Sequence, residues 1–316
     1  MSPTVPQHTA HAGALGCPVL TAPAHWRTLD FISDLHLQAS QPATFAAWQG
    51  FLQTTQADAV FILGDLFEVW VGDDILDQHA GAGQTGSELD PFAGFEARCA
   101  QVLKAASQRL DLFFMAGNRD FLLGPAFAKA CGLTLLADPC ALDFAGQRWL
   151  LSHGDALCLQ DTNYLQFRAQ VRSELWQQNF LLRPLSERLA IARQLRVQSE
   201  SHKNTGALLA DVDSSATCDW LQDALATTLI HGHTHRPANH ELGGGLSRIV
   251  LSDWDASATP PRAEVLRLHL IQEQRQTNVV TTERLPLSAV MAEAPLGDPT
   301  YIATSSIWAG FKNCSA

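Results

Sequence analysis

Residues 59–65 read AVFILGD: five apolar residues run unbroken into a glycine and an aspartate. A short apolar run closed by a turn residue is the pattern of a strand buried on both faces. The same pattern recurs along the chain. Residues 28–36 read TLDFISDLH, 112–118 read LFFMAGN, 149–154 read WLLSHG and 228–235 read TLIHGHTH. Each run leads at once into residues able to bind a metal ion: Asp34 and His36, Asp65, Asn118, His153, and then His231, His233 and His235. Between the runs lie stretches of helical period. One is 44–53, with Phe45, Trp48, Phe51 and Leu52 on one face, and another is 95–110. Strands alternating with helices predict an α/β fold.

In α/β sheets, sites form outside the carboxyl ends of the strands. Five strand ends would therefore turn their polar residues into one crevice. A lone His or Asp at a strand end is most often a cap or turn residue. Five such ends, each with a small Gly or Ser neighbour, call for a common cause, and a metal centre supplies one. The donors are imidazoles, carboxylates and one amide, without thiolate, which suits Mn²⁺, Fe²⁺ or Zn²⁺. There are more donors than one ion needs, so two ions sharing a bridging carboxylate is the natural assignment. No GxxxxGK[ST] loop, GxSxG elbow or dinucleotide fingerprint offers a rival scheme.

Composition narrows the class. The 316 residues carry a net charge of −11, which excludes a general nucleic-acid binder. The seven cysteines form no CxxC pair, so reduced, buried thiols are expected rather than a disulfide framework or zinc site. Residues 1–25 contain no Lys or Arg, unlike a secretory signal, and are expected to form a loose extension. No apolar run approaches the roughly 18 residues of a spanning helix. Residues 77–94 read as a Gly/Ala loop. The main domain is expected over 26–274, closing with an alternating strand at 263–270. Residues 275–316 give no clear signal.

Residues 161–210 stand apart. They are apolar-periodic and basic, with Arg168, Arg172, Arg183, Arg188, Arg193, Arg196 and Lys203 against Asp161, Glu174, Glu187 and Glu200. Two readings are open: a helical cap packed on the core, or a lid that lies on anionic lipid and shelters acyl chains.

The ordered series DLH, GDLFE, GNRD, HGD and GHTH resembles the calcineurin-like metallophosphoesterase superfamily over about 27–270. Within it, SDLHL, GDLFEVWVGDD, GNRDFLLG, HGDALCLQDTNYLQFR and HGHTHRP resemble the UDP-2,3-diacylglucosamine pyrophosphatases of lipid A biosynthesis. The resemblance implies a β-sandwich flanked by helices, with the helical insertion as a lid. It implies two divalent ions, Mn²⁺ above all. Asp34, His36 and His235 would hold one, Asn118, His153 and His233 the other, and Asp65 would bridge them. His231 would lie outside the ligand set, as support. Asp65, Asn118 and Arg119 would be catalytic. Asn118 and Arg119 would meet phosphate, Asp161 and Tyr164 would line the glucosamine and acyl pocket, and His233, Ser199, Lys203 and Asn204 would be further substrate contacts. The implied reaction is water attack on the α-phosphorus of UDP-2,3-diacylglucosamine, giving UMP and 2,3-diacylglucosamine 1-phosphate. The implied setting is the cytoplasmic face of the inner membrane, bound peripherally to anionic lipid, with neither nucleic acid nor protein partner.

Position 119 sharpens the reading. Many members of the superfamily have GNH there, with a His that protonates an alkoxide leaving group. Arg119 cannot donate a proton at working pH. A phosphate leaving group needs none, since its second pKa is about 6. Two other readings fit the same motifs: a hydrolase of cyclic nucleotides or dinucleoside polyphosphates, and a scaffold that has lost catalysis. The apolar insertion argues against the first and the full ligand set against the second.

Overall fold

The computed structural model describes residues 16–79, 94–204, 211–272 and 278–292. In chain order they form β1 (Val19–Thr21), β2 (Thr28–Ile32), α1 (Pro42–Thr54), β3 (Ala59–Leu63), α2 (Phe95–Ala106), β4 (Asp111–Met115), α3 (Pro125–Cys131) and β5 (Leu133–Leu136). There follow β6 (Cys140–Phe144), β7 (Gln147–Ser152), α4 (Thr162–Val171), α5 (Glu174–Leu181), α6 (Leu185–Asn204) and α7 (Ser214–Ala224). The chain continues through β8 (Thr228–His231), β9 (Ala238–Gly243), β10 (Leu246–Val250), β11 (Glu264–Gln272), β12 (Asn278–Pro286) and α8 (Leu287–Ala292).

Two six-stranded mixed sheets result, in the orders β12-β11-β2-β3-β4-β5 and β1-β6-β7-β8-β10-β9. In the first, β2 to β5 are parallel and β11–β12 add an antiparallel edge. In the second, β7, β8 and β10 are parallel. The two-residue period of a strand explains the layering. On β3, Phe61 and Leu63 enter a core shared with Leu142, Leu151, Ile230 and Ile249 of the second sheet. Val60 and Ile62 point the other way, onto Trp48 and Phe51 of α1 and Leu103 of α2. Between the sheets Phe31, Phe61 and Phe113 stack in register, with ring centroids 4.8 and 4.7 Å apart. The outer face of the second sheet packs Leu150 and Leu229 on Leu221 of α7. Burial on both faces is why the strands read as continuous apolar runs.

The structure departs from the sequence reading at both ends. Val19–Thr21, inside the expected loose extension, pairs in parallel with Ala141–Asp143 of β6, and Leu20 is fully buried. Residues 1–15 lie outside the described residues, as do 80–93 of the expected loop. The ordered fold also runs past residue 274: β12 pairs along the whole of β11 and α8 follows it.

The insertion is helical, as expected, and much of it is packed. Phe180 joins the outer core of the first sheet, with Trp176 stacked on it at 4.7 Å. Its basic residues turn inward more than the lipid-facing expectation allows. Arg188 is buried and donates to the carbonyls of Val71 and Arg183 and to Asp74. Arg172 donates to Gly117 O at 2.8 Å, and Arg168 and Arg196 pair with carboxylates of the core. No helix among the described residues is long and apolar enough to cross a membrane.

Candidate metal centre

The candidate ligands sit where β2, β3 and β4 of one sheet and β7 and β8 of the other end. The turns after β2 and β3 are held together by backbone bonds, Asp34 N to Gly64 O (3.1 Å) and His36 N to Asp65 O (2.9 Å). Asp120 braces the third turn. Its fully buried carboxylate accepts from Gly117 N (2.8 Å) and Leu66 N (2.7 Å), and more weakly from Asp65 N and Phe67 N (both 3.3 Å). Five candidate ligands, Asp34, His36, Asp65, His233 and His235, hold positive φ between 47° and 67°. Each such residue costs about 1–3 kcal/mol and persists only where its surroundings over-determine it, a pattern that clusters at functional sites.

The donor atoms converge. Asp34 Oδ1 lies 3.4 Å from His235 Nε2, which lies 3.4 Å from His36 Nε2. Asn118 Oδ1 lies 3.1 Å from His153 Nε2 and 2.9 Å from His233 Nδ1. Asp65 stands between the two groups, with Oδ2 3.9 Å from His36 Nε2 and Oδ1 3.8 Å from His153 Nε2. Asp34, His36 and His235 form one cluster of cation-binding geometry, and Asp34, Asp65 and His153 form another. Three close glycines leave room for these atoms. A Cβ at Gly117 would collide with Asp65, at Gly64 with His153, and at Gly232 with Asp34 and Ser33.

These residues fit divalent cations. Asp34 is fully buried, and Oδ1 has no hydrogen-bond partner, whereas Oδ2 accepts from Ser33 Oγ (2.6 Å) and His233 N (2.9 Å). A buried carboxylate oxygen with no hydrogen bond, and only the His235 imidazole 3.4 Å away, costs free energy unless a cation meets it. Burial opposes protonation of His153, but the charges of Asp65, Asp34 and Asp155 outweigh it and push its pKa up to about 9. Burial, reinforced by the charge of His153, pulls His233 down to about 4. The carboxylates around His153 thus favour a positive charge on it, while its neighbour His233 is held neutral. His153 Nδ1 donates to Leu63 O at 2.9 Å, so Nε2 is the nitrogen turned toward the centre, 3.1 Å from Asn118 Oδ1.

A family model described as calcineurin-like phosphoesterase matches residues 27–237. The chain belongs to that family. It is 46% identical over 235 residues to the UDP-2,3-diacylglucosamine hydrolase of Chromobacterium violaceum, covering 72% of this chain and 90% of that protein. It is 43% identical over 232 residues to the same-named protein of Shewanella pealeana, covering 72% and 90%. The protein of that name from Cellvibrio japonicus is 43% identical over 242 residues, covering 72% and 95%.

In this phosphoesterase the seven residues expected as ligands come together at one place, and His231 does not join them. Its Nδ1 bonds to Gly232 O (2.9 Å), and its Nε2 faces Arg248 at 3.4 Å. Arg119 stands beside the ligands: its backbone N–H donates to Asp65 Oδ1 (2.8 Å), and its buried Nε has no partner. Tyr164 stacks its ring on His233 (6.0 Å, 27°), and its hydroxyl donates to Asp155. Asp161 is exposed and caps α4 by accepting from Tyr164 N at 3.0 Å. The side chains of Ser199, Lys203 and Asn204 lie outside the described residues.

Sequence reasoning missed the supporting carboxylates. Glu68, Asp120 and Asp155 all lie inside the quoted motifs GDLFE, GNRD and HGD. Their spacing from a ligand was the available signal.

Proposed function

We propose that this chain hydrolyses the pyrophosphate of UDP-2,3-diacylglucosamine in lipid A biosynthesis, by water attack on the α-phosphorus, releasing UMP and 2,3-diacylglucosamine 1-phosphate. The observation that carries the reading is Arg119, a permanent cation whose backbone is bonded to Asp65 at the centre of seven convergent donors. The names of relatives 43–46% identical over most of their length support the same substrate.

In this proposal Asp34, His36 and His235 hold one ion, Asn118, His153 and His233 the other, and Asp65 both, with Mn²⁺ as the metal. Bound divalent ions supply Lewis acidity and lower the pKa of water. The chain does the rest. Arg119 and Asn118 face the phosphoryl oxygens and hold the charge that develops there. His233, fixed between Asn118 and the ring of Tyr164, orients the same side. The departing group is a phosphate, so no side chain need protonate it.

Helices α4 to α6 serve as the acyl-chain lid in this reading, with Tyr164 and Asp161 on the sugar side and Ser199, Lys203 and Asn204 further along. Leu175 and Leu182 are 71% and 83% exposed on α5 and just after it, next to Arg183, and form the contact for an anionic membrane. The protein would thus work peripherally on the cytoplasmic face of the inner membrane. Floating it with phosphatidylglycerol vesicles tests this: protein left wholly in the soluble fraction would remove the membrane proposal.

The decisive assay supplies UDP-2,3-diacylglucosamine and Mn²⁺ to the purified protein and follows UMP. Release of UMP is expected. Absence of UMP together with brisk cleavage of p-nitrophenyl phosphate esters would discard the assignment.

A further inference from the structure

Glu68 stands three residues past Asp65, on a segment zipped to the first ligand turn: its N–H donates to Leu37 O at 3.2 Å. Its two carboxylate oxygens meet different groups. Oε2 lies 3.0 Å from His36 Nδ1. Oε1 lies 3.3 Å from Arg196 Nε on α6 and 3.7 Å from Arg119 Nη1. The side chain is 13% exposed, so solvent does little to replace these partners.

The contact with His36 has a chemical consequence. A carboxylate oxygen 3.0 Å from Nδ1, close to that nitrogen but off the line of a hydrogen bond, favours the proton there electrostatically and leaves Nε2 with its lone pair. Nε2 is the nitrogen that faces Asp65 Oδ2 and His235 Nε2, at 3.9 and 3.4 Å. Without that oxygen either tautomer would be open to His36, and its ring would lose one of its anchors. The contact with the two arginines has another consequence. Arg119 comes from the turn after β4 and Arg196 from the insertion. One carboxylate therefore draws a cation from each toward the same rim.

We infer that Glu68 is a positioning residue, which sets the tautomer and orientation of His36 for one ion and holds Arg119 and Arg196 at the edge of the phosphate site. The inference rests on the two-ion reading above. An ordinary structural ion pair would need one cation and no histidine.

The test is calorimetric titration of metal-free protein with MnCl₂, alongside kcat and KM, for the wild type, Glu68→Ala and Glu68→Gln. The wild type should bind two ions. Glu68→Ala should weaken one of them by about 10–100-fold, the usual effect of removing a partner of a ligand histidine. Glu68→Gln still offers an oxygen to Nδ1, so both ions should stay within about threefold of wild type. It loses the charge, so its KM should rise about two- to fivefold, the scale of a partly exposed ion pair. A folded Glu68→Ala that binds both ions as tightly as wild type would overturn the inference and leave the metal centre standing. If Glu68→Ala does not fold, Glu68→Gln decides: a wild-type KM with wild-type ion binding would overturn it. Failure of the wild type to bind Mn²⁺ would remove the metal centre and this role together.

Discussion

Arg168 donates through Nε to the fully buried carboxylate of Asp155 at 2.8 Å, so the first helix of the insertion is fastened to the loop that carries His153. Removing the cation leaves a buried charge with Tyr164 and, at 3.9 Å, Arg172 as its remaining partners. Arg168→Ala should cost about 2–3 kcal/mol, the scale of a charged hydrogen bond to a buried group. Urea unfolding measures this directly. A variant as stable as wild type would show that Tyr164 and Arg172 suffice.

The site was more legible in the sequence than the frame around it, for physical reasons. Strand β3 is apolar throughout, and β2 and β4 are apolar but for Asp30 and the leading Asp111, so their runs and their ends stand out. Strand β9 alternates half-buried and exposed residues, and β12 carries the polar run TTER at 281–284, so neither stands out from loop. Val19–Thr21 is only three residues long and is a strand because β6 pairs with it. How the basic residues of the insertion are oriented was not legible, because charge alone does not say which way a side chain points. Arg188 finds the Val71 carbonyl 117 positions away, a pairing no local pattern encodes. The supporting carboxylates were hidden differently. Glu68 and Asp120 sit beside ligands and look like ligands, and only distance separates the two roles.

Asp65 touches both groups of donors, and the prediction follows from that position. Asp65→Ala should abolish UMP release and lose both ions, whereas His235→Ala should weaken chiefly one. Metal content after gel filtration, read by mass spectrometry, separates the cases. Near-normal turnover in Asp65→Ala would exclude a bridging role.

Arg119 sets the leaving group in this reading. Arg119→His should lose about 10²–10³ in kcat on a pyrophosphate substrate, as when one charge-stabilising donor is removed. It should lose less on an alkyl phosphodiester, whose alkoxide gains a proton donor. The informative quantity is the ratio of the two rates. An unchanged ratio would mean that position 119 does not choose the leaving group.

Asp30 lies in the middle of β2, yet it is fully buried. Arg267 of β11 grips it from the neighbouring strand, Nε to Oδ1 at 2.7 Å and Nη2 to Oδ2 at 3.0 Å, and Thr55 donates to Oδ2 at 2.6 Å. Breaking a buried pair on one side is expensive, about 3–5 kcal/mol. Asp30→Ala should therefore lower Tm sharply by strandedness alone, while activity per folded molecule stays near wild type. A matching fall in kcat would tie β11 to the chemistry.

Gly117 precedes Asn118 at the end of β4, and the reason for glycine there is steric. A Cβ at this position would lie far inside van der Waals contact with Asp65 Oδ1 and with the Asp65 backbone nitrogen. Neither atom can yield freely. The nitrogen belongs to a turn braced by Asp120, and the carboxylate accepts from Arg119 N at 2.8 Å. Gly117 N–H itself donates to Asp120 at 2.8 Å, so the backbone of position 117 is pinned from the other side. The added methyl must push Asp65 out of the space between the two donor groups. Gly117→Ala should keep its far-ultraviolet circular dichroism, since the change lies beyond the last residue of the strand. It should lose Mn²⁺ affinity and UMP release together. A variant that binds two ions at wild-type strength would mean that the turn can move aside, and that the tight approach of Gly117 to Asp65 does not hold the bridging carboxylate in place.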